Sequence, residues 1–163
     1  MDINFFKQNL INKPYESSIK VALEELLKGQ SAIVNGKYSK KFEDLFSQYV
    51  GSKYCVFLSN GLDSLSLALQ AVGISSGDEV IVPSHTYIAT WLAILNCGAK
   101  VVAAPVKDRN LLLDENKIEP LINKKTKCIM PVQLYGNIVD MSKINKLAKK
   151  YNLFVIDDAA QAH

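Results

Sequence analysis

At 163 residues the chain is long enough for one ordinary domain with a sizeable core, and its 48% hydrophobic and 21% charged residues exclude intrinsic disorder. A net charge of +3, spread along the chain, is too small and too dispersed to argue for nucleic acid. Cys55, Cys97 and Cys128 are far apart, odd in number and apolar in context, which reads as free thiols in a reducing compartment; Met1-Asp2-Ile3-Asn4-Phe5 is no signal peptide and nothing approaches a membrane span, so the expected location is the cytoplasm.

Tyr15 to Lys28 reads as an amphipathic helix with Ile19, Leu23, Leu26 and Leu27 on one face and Gly29 ending it. Asn35-Gly36-Lys37 is a turn. From Ser39, a plausible N-cap by residue type, a second helix carries Phe42, Leu45, Phe46 and Tyr49 at i, i+3, i+4 and i+7, and Gly51 closes it. Both apolar faces are expected to be core packing, and residues 1–50 form an N-terminal helical segment.

From residue 51 onward strands and helices alternate. Tyr54 to Leu58 reads as a strand and Asp63 to Val72 as a helix with Leu65, Ala68, Leu69 and Val72 inward. Glu79 to Val82 is a strand stopped by Pro83, and Tyr87 to Asn96 a mostly apolar helix ended at Gly98. Val101 to Ala104 is the next strand, and Asp114 caps a short helix that Pro120 kinks or shortens. Lys127 to Val132 is a strand with Pro131 near its end. Asp140 caps a helix with Met141, Ile144, Leu147 and Tyr151 inward and Lys146, Lys149 and Lys150 on a solvated face. Leu153 to Asp157 reads as a strand buried on both faces, because so short an apolar run has no solvent side. The implied fold is α/β, a largely parallel sheet with helices on both faces. A doubly covered strand so near the end of the chain makes this look like the front part of a longer protein.

Ligands of open α/β sheets bind at the carboxyl ends of the strands, and four junctions here carry polar residues. Ser59-Asn60-Gly61-Leu62-Asp63-Ser64 is either a phosphate-binding turn into a helix N-terminus or a plain turn with Asn60 or Asp63 as the cap. It is neither a Walker loop nor Gly-x-Gly-x-x-Gly, which argues against a Rossmann dehydrogenase. Tyr87, after Ser84-His85-Thr86, either lies flat against a planar ligand or packs under a loop; Trp91 is expected in the core. His85 has no partners placed for a triad and is expected in a structural or substrate-lining role. His163 carries no reading of its own. Gln133-Leu134-Tyr135-Gly136 follows the fourth strand and Asp157, Asp158 and Gln161 the fifth. A phosphate nest, a flat aromatic, an amide and a carboxylate together suit a planar, phosphorylated ring with a cationic nitrogen, and pyridoxal phosphate is such a ring.

The residues 59–65 (Ser-Asn-Gly-Leu-Asp-Ser-Leu), 77–90 (Gly-Asp-Glu-Val-Ile-Val-Pro-Ser-His-Thr-Tyr-Ile-Ala-Thr), 131–136 (Pro-Val-Gln-Leu-Tyr-Gly) and 155–163 (Val-Ile-Asp-Asp-Ala-Ala-Gln-Ala-His) resemble motifs of the DegT/DnrJ/EryC1/StrS sugar aminotransferases, in the same order and spacing. The likeness runs from about Ile33 to the last residue. It implies the large domain of an aspartate-aminotransferase-like, fold-type I enzyme, incomplete at its C-terminus, with residues 51–163 as the N-terminal part of the pyridoxal-phosphate domain. By that resemblance the backbone around Gly61, Leu62 and Asp63 holds the phosphate, Tyr87 stacks on the ring, Asp158 pairs with the ring nitrogen and Gln161 hydrogen-bonds the ring hydroxyl. Asp157 matches a position that is usually acidic but is not the ring partner. The residues 85–93 look most like members acting on dTDP-linked 3-oxo-6-deoxyhexoses, with glutamate as amino donor and a homodimer completing the site.

The family's Schiff-base lysine lies beyond the Asp-Asp-Ala-Ala-Gln segment, so no catalytic residue is expected in this chain, which carries half a cofactor site for pyridoxal or pyridoxamine phosphate. Some relatives replace that lysine with histidine and dehydrate the sugar, which is a second enzyme reading. A truncated, non-catalytic product that binds a ligand or a partner chain is the reading from a different class.

Overall fold

The computed structural model describes residues 7–162, in two compact units that divide between Phe57 and Leu58. The first unit holds helix α1 (Gln8–Asn12), a 3-10 turn over Lys13–Tyr15, α2 (Glu16–Leu27) and α3 (Lys37–Val50). Phe42 stacks on Phe46 at 5.4 Å between ring centroids and meets Phe57 edge-on at 5.2 Å. Lys37 pairs with Glu25 at 2.5 Å, and Tyr38 donates to the same carboxylate.

Three expectations are corrected in this unit. Helix α3 starts two residues before Ser39, with Gly36 as its extended N-cap. Glycine is required there because a Cβ would come within 2.0 Å of the Ala32 carbonyl oxygen. No residue of α1, α2 or α3 is buried, so Ile19, Leu23 and Leu27 are exposed and not core. The expected strand Tyr54 to Leu58 has no sheet pairing among the described residues, and Tyr54, Val56 and Phe57 stand exposed. An apolar run becomes a strand only where a neighbour offers its backbone, and among the described residues none does.

The second unit is the α/β layer. It runs α4 (Gly61–Ala71), β1 (Glu79–Pro83), α5 (Ile88–Asn96), β2 (Lys100–Ala104), 3-10 turns at Glu115–Lys117 and Glu119–Leu121, β3 (Thr126–Ile129), a turn at Leu134–Gly136, α6 (Met141–Tyr151) and β4 (Phe154–Val155). The four strands are parallel, in the order β2-β1-β3-β4. Alternation along each strand sends side chains to opposite faces. Val80, Val82, Cys128 and Met130 join Leu69, Ala93 and Ile94 of α4 and α5, whereas Ile81 and Ile129 join Leu112, Leu113 and Ile144. Helices therefore cover both faces of the sheet, as the sequence pattern implies.

Caps and termini follow from short polar residues. Asn60 accepts from the Asp63 N–H and begins α4, while Asp140 accepts from the Ser142 and Lys143 N–H groups and begins α6. Asp114 caps the first 3-10 turn, and Pro120 opens the second. All three cysteines are free. Burial raises Cys97 above its ordinary value and pushes Cys128 up to about 12.

Strand ends depart from expectation for identifiable reasons. β3 stops at Ile129 because Pro131 has no N–H for the ladder. β4 is only Phe154–Val155, and Phe154 is half exposed, so the reading of Leu153 to Asp157 as buried on both faces is wrong. β4 is an edge strand; Leu153 and Val155 pack inward on the α6 side, whereas Phe154 is half exposed. Tyr151, expected inward, is exposed, and its hydroxyl donates to Glu119 at 2.6 Å. Among the described residues no helix is long and apolar enough to cross a membrane. His163 lies outside the described residues, as do Met1 to Phe6.

Ile129 is fully buried at the centre of the sheet, between Ile81 on β1 and Val155 on β4. Ile129→Ala is expected to lower unfolding free energy by about 2–5 kcal/mol in urea titration. A loss below about 1 kcal/mol would show that the sheet interior is not the packed core described here.

Candidate functional site

The chain passes from β1 outward to β2, then returns across β1 to β3, so the direction of winding reverses between β1 and β3. A crevice opens at the carboxyl ends of strands at such a reversal. In this protein it is a cavity of about 460 Å³, within the usual range for small-molecule sites. Its walls come from the segments that follow β1, β3 and β4 and from the start of α4.

The N-terminus of α4 forms one wall. The Asn60 side chain accepts from the Asp63 N–H at 2.9 Å, and the Asn60 carbonyl accepts from Ser64. The Asp63 carboxylate turns back to receive the Ser59 hydroxyl and the Asn60 amide. This reciprocal cap leaves the N–H groups of Gly61 and Leu62 with no acceptor among the described residues. Both residues line the cavity, and the space beside Gly61 is open, with no atom within 4 Å of an added Cβ. Two free donors at the positive end of a helix suit an anionic oxygen cluster.

The opposite wall is Asp158. Its Oδ2 accepts from the Thr90 hydroxyl at 2.8 Å and its Oδ1 from the Ala160 N–H at 3.3 Å. Thr90 is buried and is itself 3.1 Å from the hydroxyl of Thr86, four residues earlier and just ahead of α5. Asp157 points elsewhere, accepting from the Gln133 amide at 2.7 Å. Gln133 is buried, and its oxygen accepts from the Val139 N–H at 2.7 Å. The two adjacent carboxylates thus have separate surroundings: Asp158 borders the cavity, and Asp157 belongs to the support behind it.

A third group lies at the rim. Tyr87 is the N-cap of α5 and is exposed on the cavity side. Gln161 also lines the cavity, and its oxygen accepts from the Tyr135 N–H at 2.6 Å. The Tyr135 hydroxyl is 3.2 Å from His85 Nε2.

Gly61, Leu62, Tyr87, Asp158 and Gln161 therefore share one cavity. Asp63 stands beside it as part of the cap, and His85 lies outside the lining, bonded to Tyr135. Trp91 is partly buried, and its indole donates to the Pro83 carbonyl at 3.1 Å. Sequence reasoning misses Thr90, for which the i, i+4 spacing of Thr86 and Thr90 is the available signal; it places Gln133 on this edge but not as the support of Asp157. The chemistry of the donor set fits a phosphorylated ring with a cationic nitrogen: free N–H groups for the phosphate, an exposed aromatic for the ring face, a carboxylate for the nitrogen.

A family model described as the DegT/DnrJ/EryC1/StrS aminotransferase family matches residues 15–163. The chain is 46% identical over 161 residues to the dTDP-3-amino-3,6-dideoxy-alpha-D-galactopyranose transaminase of Aneurinibacillus thermoaerophilus, a match that covers 99% of this chain and 44% of that one. Among solved structures it is similar to S. venezuelae DesV in complex with a ketimine intermediate, with a TM-score of 0.93 and 36% identity over 99% of this chain and 43% of DesV. It is also similar to NtdA from Bacillus subtilis with bound cofactor PMP, with a TM-score of 0.86 and 35% identity over 93% of this chain and 34% of that one. The chain thus spans less than half the length of these relatives.

The Asp157 carboxyl is raised above its ordinary value, chiefly by desolvation; the Gln133 amide opposes this and the Asp158 charge adds to it. A carboxyl raised in the folded state binds its proton more tightly there than in the unfolded chain. Folding therefore loses stability as pH rises from the ordinary carboxylate value through the raised one. Asp157→Asn keeps an acceptor for Gln133 and removes that loss. Urea midpoints are expected to favour the variant at neutral pH and to converge below the carboxyl range; a variant equally destabilised at both pH values contradicts the assignment.

Proposed function

The chain belongs to the DegT/DnrJ/EryC1/StrS aminotransferase family, and from that premise we propose that residues 51–163 form the N-terminal part of the pyridoxal-phosphate-binding domain of a nucleotide-sugar aminotransferase, preceded by the helical segment 1–50. The observation that carries the reading is the pair of acceptor-free N–H groups of Gly61 and Leu62 sharing one cavity with the Asp158 carboxylate. The 46% identity to a dTDP-amino-sugar transaminase supports a dTDP-linked 3-oxo-6-deoxyhexose as the amino acceptor, with glutamate as donor. The whole enzyme is proposed to act in the cytoplasm as a homodimer.

In this reading Gly61 and Leu62 donate to the cofactor phosphate, while Asp63 and Asn60 keep those donors free by closing the cap on themselves. Tyr87 covers one ring face. Asp158 accepts a hydrogen bond from the protonated ring nitrogen, a charge-assisted contact that holds the proton on that atom. Pyridoxal phosphate, when bound, supplies the electron sink for transamination. Gln161 donates to the ring hydroxyl oxygen, and His85 stands on the substrate side, steadied by Tyr135. No lysine lines the cavity among the described residues, so these side chains bind and orient, and the chain alone is expected to show no turnover.

Equilibrium binding of pyridoxal phosphate to the 163-residue chain tests the reading. Asp158→Asn is expected to weaken binding about tenfold to a hundredfold, the worth of one hydrogen bond to a charged group. Borohydride reduction is expected to leave no adduct on a specific lysine. Equal affinity in the variant, or reduction onto one lysine, would contradict the assignment.

A further inference from the structure

Tyr135 has φ +59° and ψ 26°, and Gly136 follows with φ +74°. Glycine takes the left-handed region freely, but a bulky aromatic residue seldom does. Nothing about the Tyr135 side chain demands it: the residue is exposed, and among the described residues its hydroxyl meets the exposed His85. The two positive φ values close a type I′ turn, in which the Asn137 N–H donates to the Leu134 carbonyl at 3.1 Å, and the peptide entering that turn carries the Tyr135 N–H that donates to Gln161 Oε1 at 2.6 Å. The backbone is close on this side, since a Cβ on Gly136 would lie 3.7 Å from the Gln161 carbonyl oxygen.

That hydrogen bond decides how the Gln161 amide is turned. A backbone N–H can only donate, so the atom facing it must be the oxygen, and the NH₂ end must be the other one. The NH₂ has no acceptor among the described residues, and Gln161 lines the cavity. Left to itself, a surface glutamine would rotate and could present either end to a ligand.

We infer that Tyr135 is a positioning residue: the type I′ turn at Tyr135-Gly136 holds its N–H against the Gln161 amide so that only a hydrogen-bond donor faces the cavity, and the ligand group received there is an anionic or acceptor oxygen. This rests on the function proposed above, in which that group is the ring hydroxyl oxygen of pyridoxal phosphate. The lock then favours its ionised form, because an NH₂ donor stabilises an oxyanion and offers nothing to a hydroxyl proton.

Two substitutions separate backbone from side chain. Tyr135→Gly and Tyr135→Val both remove the ring and its hydrogen bond with His85, but glycine accepts the left-handed region and β-branched valine does not. In the cofactor-free chain, hydrogen exchange of the residue-135 amide is expected to be slow in wild type and Tyr135→Gly and fast in Tyr135→Val. With pyridoxal phosphate, Tyr135→Gly is expected to bind within about twofold of wild type, with the same ratio of ionised to protonated ring-hydroxyl absorption. Tyr135→Val is expected to bind about threefold to tenfold more weakly and to shift that ratio towards the protonated form, because one donor to the oxyanion is no longer held in place. Binding and spectrum of Tyr135→Val equal to those of Tyr135→Gly would overturn the inference while leaving the proposed function standing. Absence of binding in wild type, with the residue-135 amide still protected, would overturn the functional reading and with it the ligand assigned to Gln161.

Discussion

One parallel bridge holds the carboxyl edge of this sheet together. Pro131 interrupts β3, yet the ladder resumes one step later: the Asp158 N–H donates to the Pro131 carbonyl at 3.0 Å, and the Gln133 N–H donates to the Asp158 carbonyl at 2.9 Å. The polar groups that follow β3 and β4 hang from those two hydrogen bonds. They set Asp158 against Thr90 of α5, place Gln133 behind Asp157, and start the short turn that brings Gln161 to Tyr135. The bridge also explains why adjacent aspartates have different roles. Consecutive residues of an extended chain point to opposite sides, so when Asp158 faces the cavity, Asp157 must face away.

The polar edge is supported by a dry interior. Ile81, Ile129, Val80, Val82 and Met130 are fully buried and fix the strand ends from below, and α5 and α6 cover opposite faces. Rigidity there permits unfavourable local features above: two adjacent carboxylates, a buried amide and a bulky residue in left-handed backbone. Such a backbone costs about 1–3 kcal/mol, and it persists only where surrounding contacts over-determine it. The Gln161 oxygen at Tyr135 is one of those contacts.

The α/β alternation, the four strands of the sheet and the Asp140 cap of α6 follow from local pattern, because each depends on residues close in sequence. Tyr54 to Leu58 shows the opposite case: a strand requires a neighbour, and hydropathy alone does not report one. The apolar faces of α2 and α3 were legible as amphipathic but not as exposed, since period gives a face and not its cover. At the site, Gly61, Leu62, Tyr87, Asp158 and Gln161 could be placed on one edge from the order of the junctions. Thr90 could not, because its value lies in a hydrogen bond to a residue 68 positions away. The choice between Asn60 and Asp63 as the cap of α4 likewise needed geometry, as did the exclusion of His85 from the cavity wall.

A crystal structure of the chain soaked with pyridoxamine phosphate tests the central claim most directly. The account predicts phosphate oxygens within hydrogen-bond distance of the Gly61 and Leu62 N–H groups, and the ring nitrogen against Asp158. A ligand seated with its phosphate away from the start of α4, or its ring nitrogen away from Asp158, would contradict it.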